Sequence, residues 1–157
     1  MEIILTVNAE KKELKIKPSE MLLDVLRRNG YQGVKEGCRQ GECGSCTVLV
    51  DGLPVTSCIY PAAKADGKKV TTVEALAVDG QLSVLQESFL DEGAVQCGYC
   101  TPGMLMSSRA LLDRNPDPEE KEIKLALDGN LCRCTGYAKI IRAVQTAVRR
   151  MKKERAK

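Results

Sequence analysis

Histidine and tryptophan are absent from the 157 residues, and phenylalanine occurs once. Without imidazole there is no Ser-His-Asp triad, no Cys-His pair and no histidine metal ligand. A Rieske centre, which needs two histidines, is excluded, and so is a haem held by histidine. Aromatic residues make up 3%, too few for the stacking platforms of a nucleic-acid binder. Charge of one sign is lacking too: 24 Lys and Arg against 21 Asp and Glu leave +3, so no nucleic-acid partner is expected. No run approaches the ~18 apolar residues of a membrane span. Met1 to Lys12 reads as a strand and a turn rather than an export leader. Arg27-Arg28 falls in a helix-like stretch, so it is not read as a twin-arginine signal. A cytoplasmic location is the expectation. The hydrophobic share of 43% permits a packed core and argues against disorder. Positive charge gathers only at the end, in Arg149, Arg150, Lys152, Lys153, Arg155 and Lys157. This reads as a solvated helix end whose cations complement the helix dipole, with docking onto a partner as the alternative.

Cysteine is what the chain has in excess. Cys38, Cys43, Cys46 and Cys58 form one group; Cys97, Cys100, Cys132 and Cys134 form a second, after a long cysteine-free stretch. With no export signal read, two sites of four thiolates are a simpler reading than disulfides. The first group, Cys38-x4-Cys43-x2-Cys46 followed by Cys58, has the plant-type spacing of a [2Fe–2S] cluster. Three thiolates from one short loop can converge only if the backbone wraps around the cluster. Gly37, Gly41 and Gly44 interleave with them, and glycine permits positive φ and close approach to the sulfides. Zinc sites usually pair C-x2-C knuckles and fit this loop poorly. In the second group, Cys97-x2-Cys100 and Cys132-x-Cys134, spacing leaves both zinc and an iron–sulfur cluster open. A redox-active CxxC disulfide would leave Cys132 and Cys134 unexplained.

Hydrophobic patterning divides the chain into a small α+β domain, 1–76, and a helical domain, 77–157. Residues 2–7 and 14–17 read as strands joined by a turn over Asn8 to Glu13. Ser19 reads as the N-cap of a helix carrying Met21, Leu22, Val25 and Leu26 and ending at Asn29-Gly30. Thr47–Val50 and Leu53–Thr56 flank the turn dipeptide Asp51-Gly52, with Pro54 marking an edge strand. Lys69–Val73 is a further strand. Four short helices follow. Leu82, Leu85 and Phe89 share a face of the first, and Thr101-Pro102 read as N-cap and N1 of the second, with Met104, Leu105, Leu111 and Leu112. Asp117-Pro118-Glu119-Glu120 resembles a capping box ahead of Ile123 and Leu127, closed by Gly129. Tyr137, Ile140, Ile141, Val144, Val148 and Met151 form a stripe on the last. Met104 and Met106 are expected to fill core, not to ligate. Both ligand pairs of the second group are expected directly before helices, whose dipoles would favour thiolates. With no flexible linker near 74–80, the halves should pack rigidly. No Walker motif or G-x-G-x-x-G occurs, so nucleotide and flavin are not bound by those devices.

Three linked motifs carry a resemblance. Gly37-Cys-Arg-Gln-Gly-Glu-Cys-Gly-Ser-Cys-Thr-Val-Leu-Val50 resembles the first-cluster loop of the xanthine oxidase family of molybdenum hydroxylases. Gly93-Ala-Val-Gln-Cys-Gly-Tyr-Cys-Thr-Pro-Gly-Met104 and Gly129-Asn-Leu-Cys-Arg-Cys-Thr-Gly-Tyr137 resemble the entry and exit of its second cluster. The likeness runs from about Met1 to Arg149, with no departure at the ligand positions. It implies a β-grasp ferredoxin-like domain followed by a four-helix bundle with a second [2Fe–2S] cluster. It implies Cys97, Cys100, Cys132 and Cys134 near molybdenum, and Cys38, Cys43, Cys46 and Cys58 near flavin. Gln96 matches a glutamine that hydrogen-bonds the pterin, and Cys134 a ligand facing the pterin amino group. From the residues alone, Gln96 is an ordinary polar residue before a metal loop.

The implied partners are a large subunit with the molybdenum–pterin cofactor and, where present, a medium subunit with FAD, in a heterotrimer or its dimer. The chain would be the separate small subunit, too short to hold either cofactor. It would pass electrons from the bundle cluster to the ferredoxin-like cluster and on to FAD, with no catalytic residue of its own. Ser57-Cys-Ile-Tyr-Pro-Ala-Ala and Glu92-Gly-Ala-Val-Gln-Cys resemble bacterial xanthine dehydrogenase small subunits. Nicotinate, aldehyde, carbon monoxide and aromatic thioester hydroxylases have similar stretches. Outside this class stand a free ferredoxin-type carrier, disfavoured by the slightly basic charge, and a zinc-stapled interaction protein.

Overall fold

A computed structural model describes residues 1–156; Lys157, last of the C-terminal cations and of the expected helical domain, lies outside the described residues. The chain runs through strands β1 (Glu2–Val7) and β2 (Glu10–Lys15), helix α1 (Leu22–Arg28), and strands β3 (Thr47–Val50), β4 (Leu53–Thr56) and β5 (Lys69–Thr71). Helices α2 (Val84–Asp91), α3 (Thr101–Arg114), α4 (Glu120–Leu127) and α5 (Ala138–Arg155) follow.

The sheet has the order β2-β1-β5-β3-β4, with β1 and β5 parallel and the other pairs antiparallel. Alternation in β1 turns Ile3, Leu5 and Val7 inward, where Leu22, Leu23, Val25 and Leu26 of α1 cover them. One helix across a mixed sheet is the expected β-grasp arrangement. The strand expected at 14–17 occupies Glu10–Lys15 instead. Apart from Leu14, which packs on the sheet core, it is a charged edge with no apolar alternation at its start to betray it, and that charge blocks further pairing. Its turn is only Asn8-Ala9, both left-handed. Asn8 is held there by two bonds: its Nδ2 donates to Thr72 Oγ1 (2.8 Å) and its Oδ1 accepts from Thr72 N (2.9 Å).

Ser19 does not cap α1. The N-cap is Met21, and the first helical N–H groups reach outward to carbonyls beyond β4: Leu22 N to Tyr60 O (2.8 Å) and Leu23 N to Ser57 O (3.1 Å). Tertiary carbonyls do what a cap side chain would do. The β3–β4 hairpin falls at its expected residues around Asp51-Gly52, with β4 at the sheet edge. The strand expected to reach Val73 stops at Thr71, and Val73–Leu76 turns into a short 3-10 helix.

The four helices gather around Phe89, Met104, Met106, Ile123 and Ile140. Both methionines are core, as expected. Leu82 lies ahead of α2 and is exposed, and Tyr137 lies ahead of α5, so neither extends the helical stripe. Ser83 caps α2 in a capping box with Gln86. The box expected at Asp117 is built two residues later, between Glu119 and Glu122. On α3 the N-cap is Cys100 rather than Thr101. Only that thiol pair directly precedes its helix; Thr135, Gly136 and Tyr137 separate Cys134 from α5. At the end of α5, Arg150 pairs with Asp91 (2.7 Å) and Lys152 with Asp117 (2.5 Å).

The halves meet on β3, all four of whose residues are buried. Val48 and Val50 join the sheet core, while Leu49 joins the helical core, where α3 packs against β3. A strand covered on both faces reads as an apolar run rather than an alternation.

Candidate metal centres

The first thiol group lies on the loop between α1 and β3, closed by the residue after Ser57. Arg39, Gly41 and Gly44 all have positive φ, which winds the loop tightly. Arg39 is held in that conformation by Glu36 (Nε to Oε1, 2.5 Å) and by Asp24 of α1 (Nη2 to Oδ1, 2.7 Å). A Cβ at Gly37 would stand 2.6 Å from Cys43 Sγ, so the loop closes only without a side chain there. The Cys38 thiol accepts from Gln40 N and Cys43 N, each at 3.4 Å. These backbone N–H groups, Cys43's first, hold it down at about 6. Ser57 bonds the Cys46 carbonyl through its hydroxyl (2.7 Å) and its N–H (3.4 Å), drawing the segments of Cys46 and Cys58 together. Burial pushes Cys58 up to about 11, and the neighbouring Cys46 thiol adds to it.

The second group joins the α2–α3 loop to the α4–α5 loop. The Cys97 and Cys134 thiols lie 3.6 Å apart and are exposed; Cys100 and Cys132 are buried in the helical core. Burial pushes Cys100 up to about 12, with Cys132 and Cys97 close by. Burial also raises Cys132, but bonds from Thr135 Oγ1 (3.1 Å), Thr135 N (3.4 Å) and Cys134 N outweigh it, and the net shift is downward. Gln96 Nε2 donates to the Cys134 carbonyl (3.1 Å), so the two expected pterin-facing residues adjoin. Tyr137, left-handed at φ 67°, folds its phenol back to accept from Cys132 N (3.1 Å). Its resemblance-derived place at the end of the motif gave no sign of this role.

In each group an inner, buried pair faces a core and an outer pair faces the surface. Among the described residues no three potential ligands close to the spacing of a single metal ion. Thiols that meet in pairs fit a two-iron, two-sulfide core, which is wider than one ion. N–H groups aimed at sulfur and a loop free of side chains fit it as well.

The centres are tied to each other. Leu131 N, one residue before Cys132, donates to the carbonyl of Cys43 (2.9 Å). Tyr99, between Cys97 and Cys100, donates its hydroxyl to the carbonyl of Glu36. Neither bond is readable from spacing, because each joins segments far apart in sequence.

Residues 5–77 match the family described as a 2Fe-2S iron-sulfur cluster binding domain, and residues 72–145 the [2Fe-2S] binding domain. The metal that spacing left open in the second group is therefore iron. The nicotinate dehydrogenase small FeS subunit of Eubacterium barkeri is 54% identical over 149 residues, covering 94% of this chain and 95% of that protein. The xanthine dehydrogenase iron-sulfur-binding subunit of Escherichia coli O157:H7 is 47% identical over 144 residues, 88% of this chain and 89% of that protein. Among solved structures, quinoline 2-oxidoreductase from Pseudomonas putida 86 superposes with a TM-score of 0.92 at 42% identity, over 98% of this chain and 96% of that one. Aldehyde oxidoreductase from Desulfovibrio gigas gives 0.93 at 37% identity over 98% of this chain, but only 17% of that much longer one.

Proposed function

Because this chain belongs to the small iron–sulfur subunits of the molybdenum hydroxylases, the electron-transfer members of those oxidoreductases, we propose that it relays electrons from a molybdenum–pterin site on a large subunit towards FAD on a medium subunit. Cys97, Cys100, Cys132 and Cys134 hold the cluster on the molybdenum side. Cys38, Cys43, Cys46 and Cys58 hold the one on the flavin side. Each cluster, when bound, accepts one electron at a time. The boundary between the two cluster domains falls between residues 76 and 77, the assembly is a heterotrimer or its dimer, and the compartment is the cytoplasm. No helix among the described residues is long and apolar enough to cross a membrane.

The chain itself contributes placement, burial and hydrogen bonding to sulfur, which set the potentials. The exposed Cys97–Cys134 pair offers the second cluster to a partner, and Gln96 braces the Cys134 carbonyl at that rim. The observation that carries the reading is the bond from Leu131 N to the Cys43 carbonyl. It gives the two thiol groups a continuous connection through one hydrogen bond.

The sequence favours xanthine as the substrate of the assembled enzyme, and the named relatives are subunits of a nicotinate dehydrogenase and a xanthine dehydrogenase. Both are nitrogen heteroaromatics, and we take that class as the substrate. The test is anaerobic absorbance of the complex purified from its host, with xanthine, hypoxanthine, nicotinate, an aldehyde and carbon monoxide added in turn. Bleaching of the iron–sulfur bands by a heteroaromatic is expected; bleaching by dithionite alone would sink the assignment to this substrate set. Gln96→Ala should slow bleaching by substrate while iron content stays unchanged. Unchanged rapid-reaction kinetics would return Gln96 to an ordinary surface residue.

A further inference from the structure

Asn130 is a buried amide, 4% exposed, two residues before Cys132. Its surroundings fix its orientation. The nitrogen donates to Gly44 O (3.1 Å) and Gly103 O (3.3 Å), and the oxygen accepts from Ser107 Oγ (2.7 Å). An amide offers two N–H donors and an acceptor oxygen, and here both kinds are used. Its three partners come from two segments: Gly44 stands between Cys43 and Cys46 of the first centre, and Gly103 and Ser107 stand on α3 of the helical half.

The backbones meet here with no room for a side chain. A Cβ at Gly44 would lie 2.3 Å from Gly129 O, and one at Gly103 would lie 2.1 Å from Gly44 O. Real Cβ contacts are not made at such distances, so the loop of the first centre and helix α3 touch through bare backbone. Two bonds from consecutive residues close the junction, the Asn130 amide on Gly44 O and Leu131 N on Cys43 O. Both partners lie on the first-centre loop, and both donors lie immediately before the second-centre ligand Cys132.

We infer that Asn130 is a positioning residue for electron transfer between the two centres: it latches the loop of one to the loop of the other and thereby sets their separation. This rests on the reading that each group of four thiols holds a [2Fe–2S] cluster. The latch works through geometry. A buried amide with all its bonds made has one arrangement, whereas the same site with donors removed leaves two carbonyls unpaired and favours opening.

The test uses the full chain with both clusters loaded. Reduced [2Fe–2S] clusters are paramagnetic, and the dipolar interaction between two spins falls with the cube of their distance. Electron paramagnetic resonance of the fully reduced chain therefore reports the separation, and the half-reduced chain reports each cluster alone. Asn130→Asp keeps the shape and the acceptor but turns a carboxylate onto two carbonyls. It should lose the wild-type splitting while iron content and the single-cluster signals stay as they are. Ser107→Ala, which touches only the acceptor side within the helical half, should leave the splitting intact. Wild-type splitting in a fully loaded Asn130→Asp chain would overturn the inference. So would loss of iron from the second centre, which would make Asn130 a residue of cluster assembly. Asn130→Ser, which keeps one donor, is read the same way if the aspartate variant does not accumulate, and if neither folds the residue is structural and the inference falls. A wild-type chain lacking two distinct reduced signals would defeat the underlying cluster reading instead.

Discussion

Two residues show how much a single side chain decides near each centre. Tyr137 is a bulky residue held at φ 67°, a conformation that costs on the order of 1–3 kcal/mol. What holds it there is its phenol, which accepts from Cys132 N, together with its carbonyl, which accepts from Ile141 N to open α5. Tyr137→Phe keeps the ring and removes the acceptor. Stability should fall by about 1 kcal/mol in urea titration. Under the proposed relay, the potential of the second cluster should shift while that of the first stays put, because the freed N–H belongs to Cys132 of the second thiol group alone. Equal shifts of both would refute a local role. Cys43 is the converse case. Its thiol belongs to the first group of four, but its carbonyl accepts from Leu131 N beside the second group, and serine retains that carbonyl. Cys43→Ser should therefore abolish the first cluster's resonance and spare the second's. Disappearance of both would show that the centres are not built independently.

At the scale of elements, local chemistry decides some boundaries and tertiary contacts decide others. Ser83 caps α2 through its own hydroxyl, so Ser83→Ala should lower the denaturation midpoint by an amount worth about 1 kcal/mol. Ser19 is exposed and caps nothing, since Tyr60 and Ser57 carbonyls serve the first N–H groups of α1. Ser19→Ala should leave the midpoint unchanged, and equal losses from the two serines would contradict the observed capping. The same contrast explains what sequence could reveal. The β3–β4 hairpin was legible because Asp51-Gly52 sets its turn within four residues. The division of the cysteines into two groups was legible because loop spacing is a local property. The start of strand β2, Glu10–Glu13, was not, because a run of Glu and Lys alone carries no apolar period. The latch of Asn130 on Gly44 was not, because nothing within either segment records which distant backbone it meets.

The whole molecule depends on that junction. Neither half has a large core, and small domains bury proportionally less surface and are marginal alone. The helical core takes Leu49 from the sheet, and the Glu74 carboxylate accepts from Gly33 N (2.7 Å) across the turn from β5 into the helices. Sharing of this kind makes two cores behave as one cooperative unit. Loaded protein should lose its helical circular dichroism and its iron–sulfur absorbance in a single coincident urea transition. Gly103→Ala tests the coupling at its tightest point. The added methyl would face a backbone oxygen, which cannot rotate away as a side-chain tip can. Either α3 lifts from the first-centre loop or the loop yields, at a cost of about 1–3 kcal/mol for overpacking. The variant should unfold earlier, and its two signals should separate, with first-centre absorbance outlasting or preceding the helical signal. A variant with wild-type stability and coincident transitions would mean that the junction deforms freely, and cooperativity would then have to come from Leu49 and β3 alone.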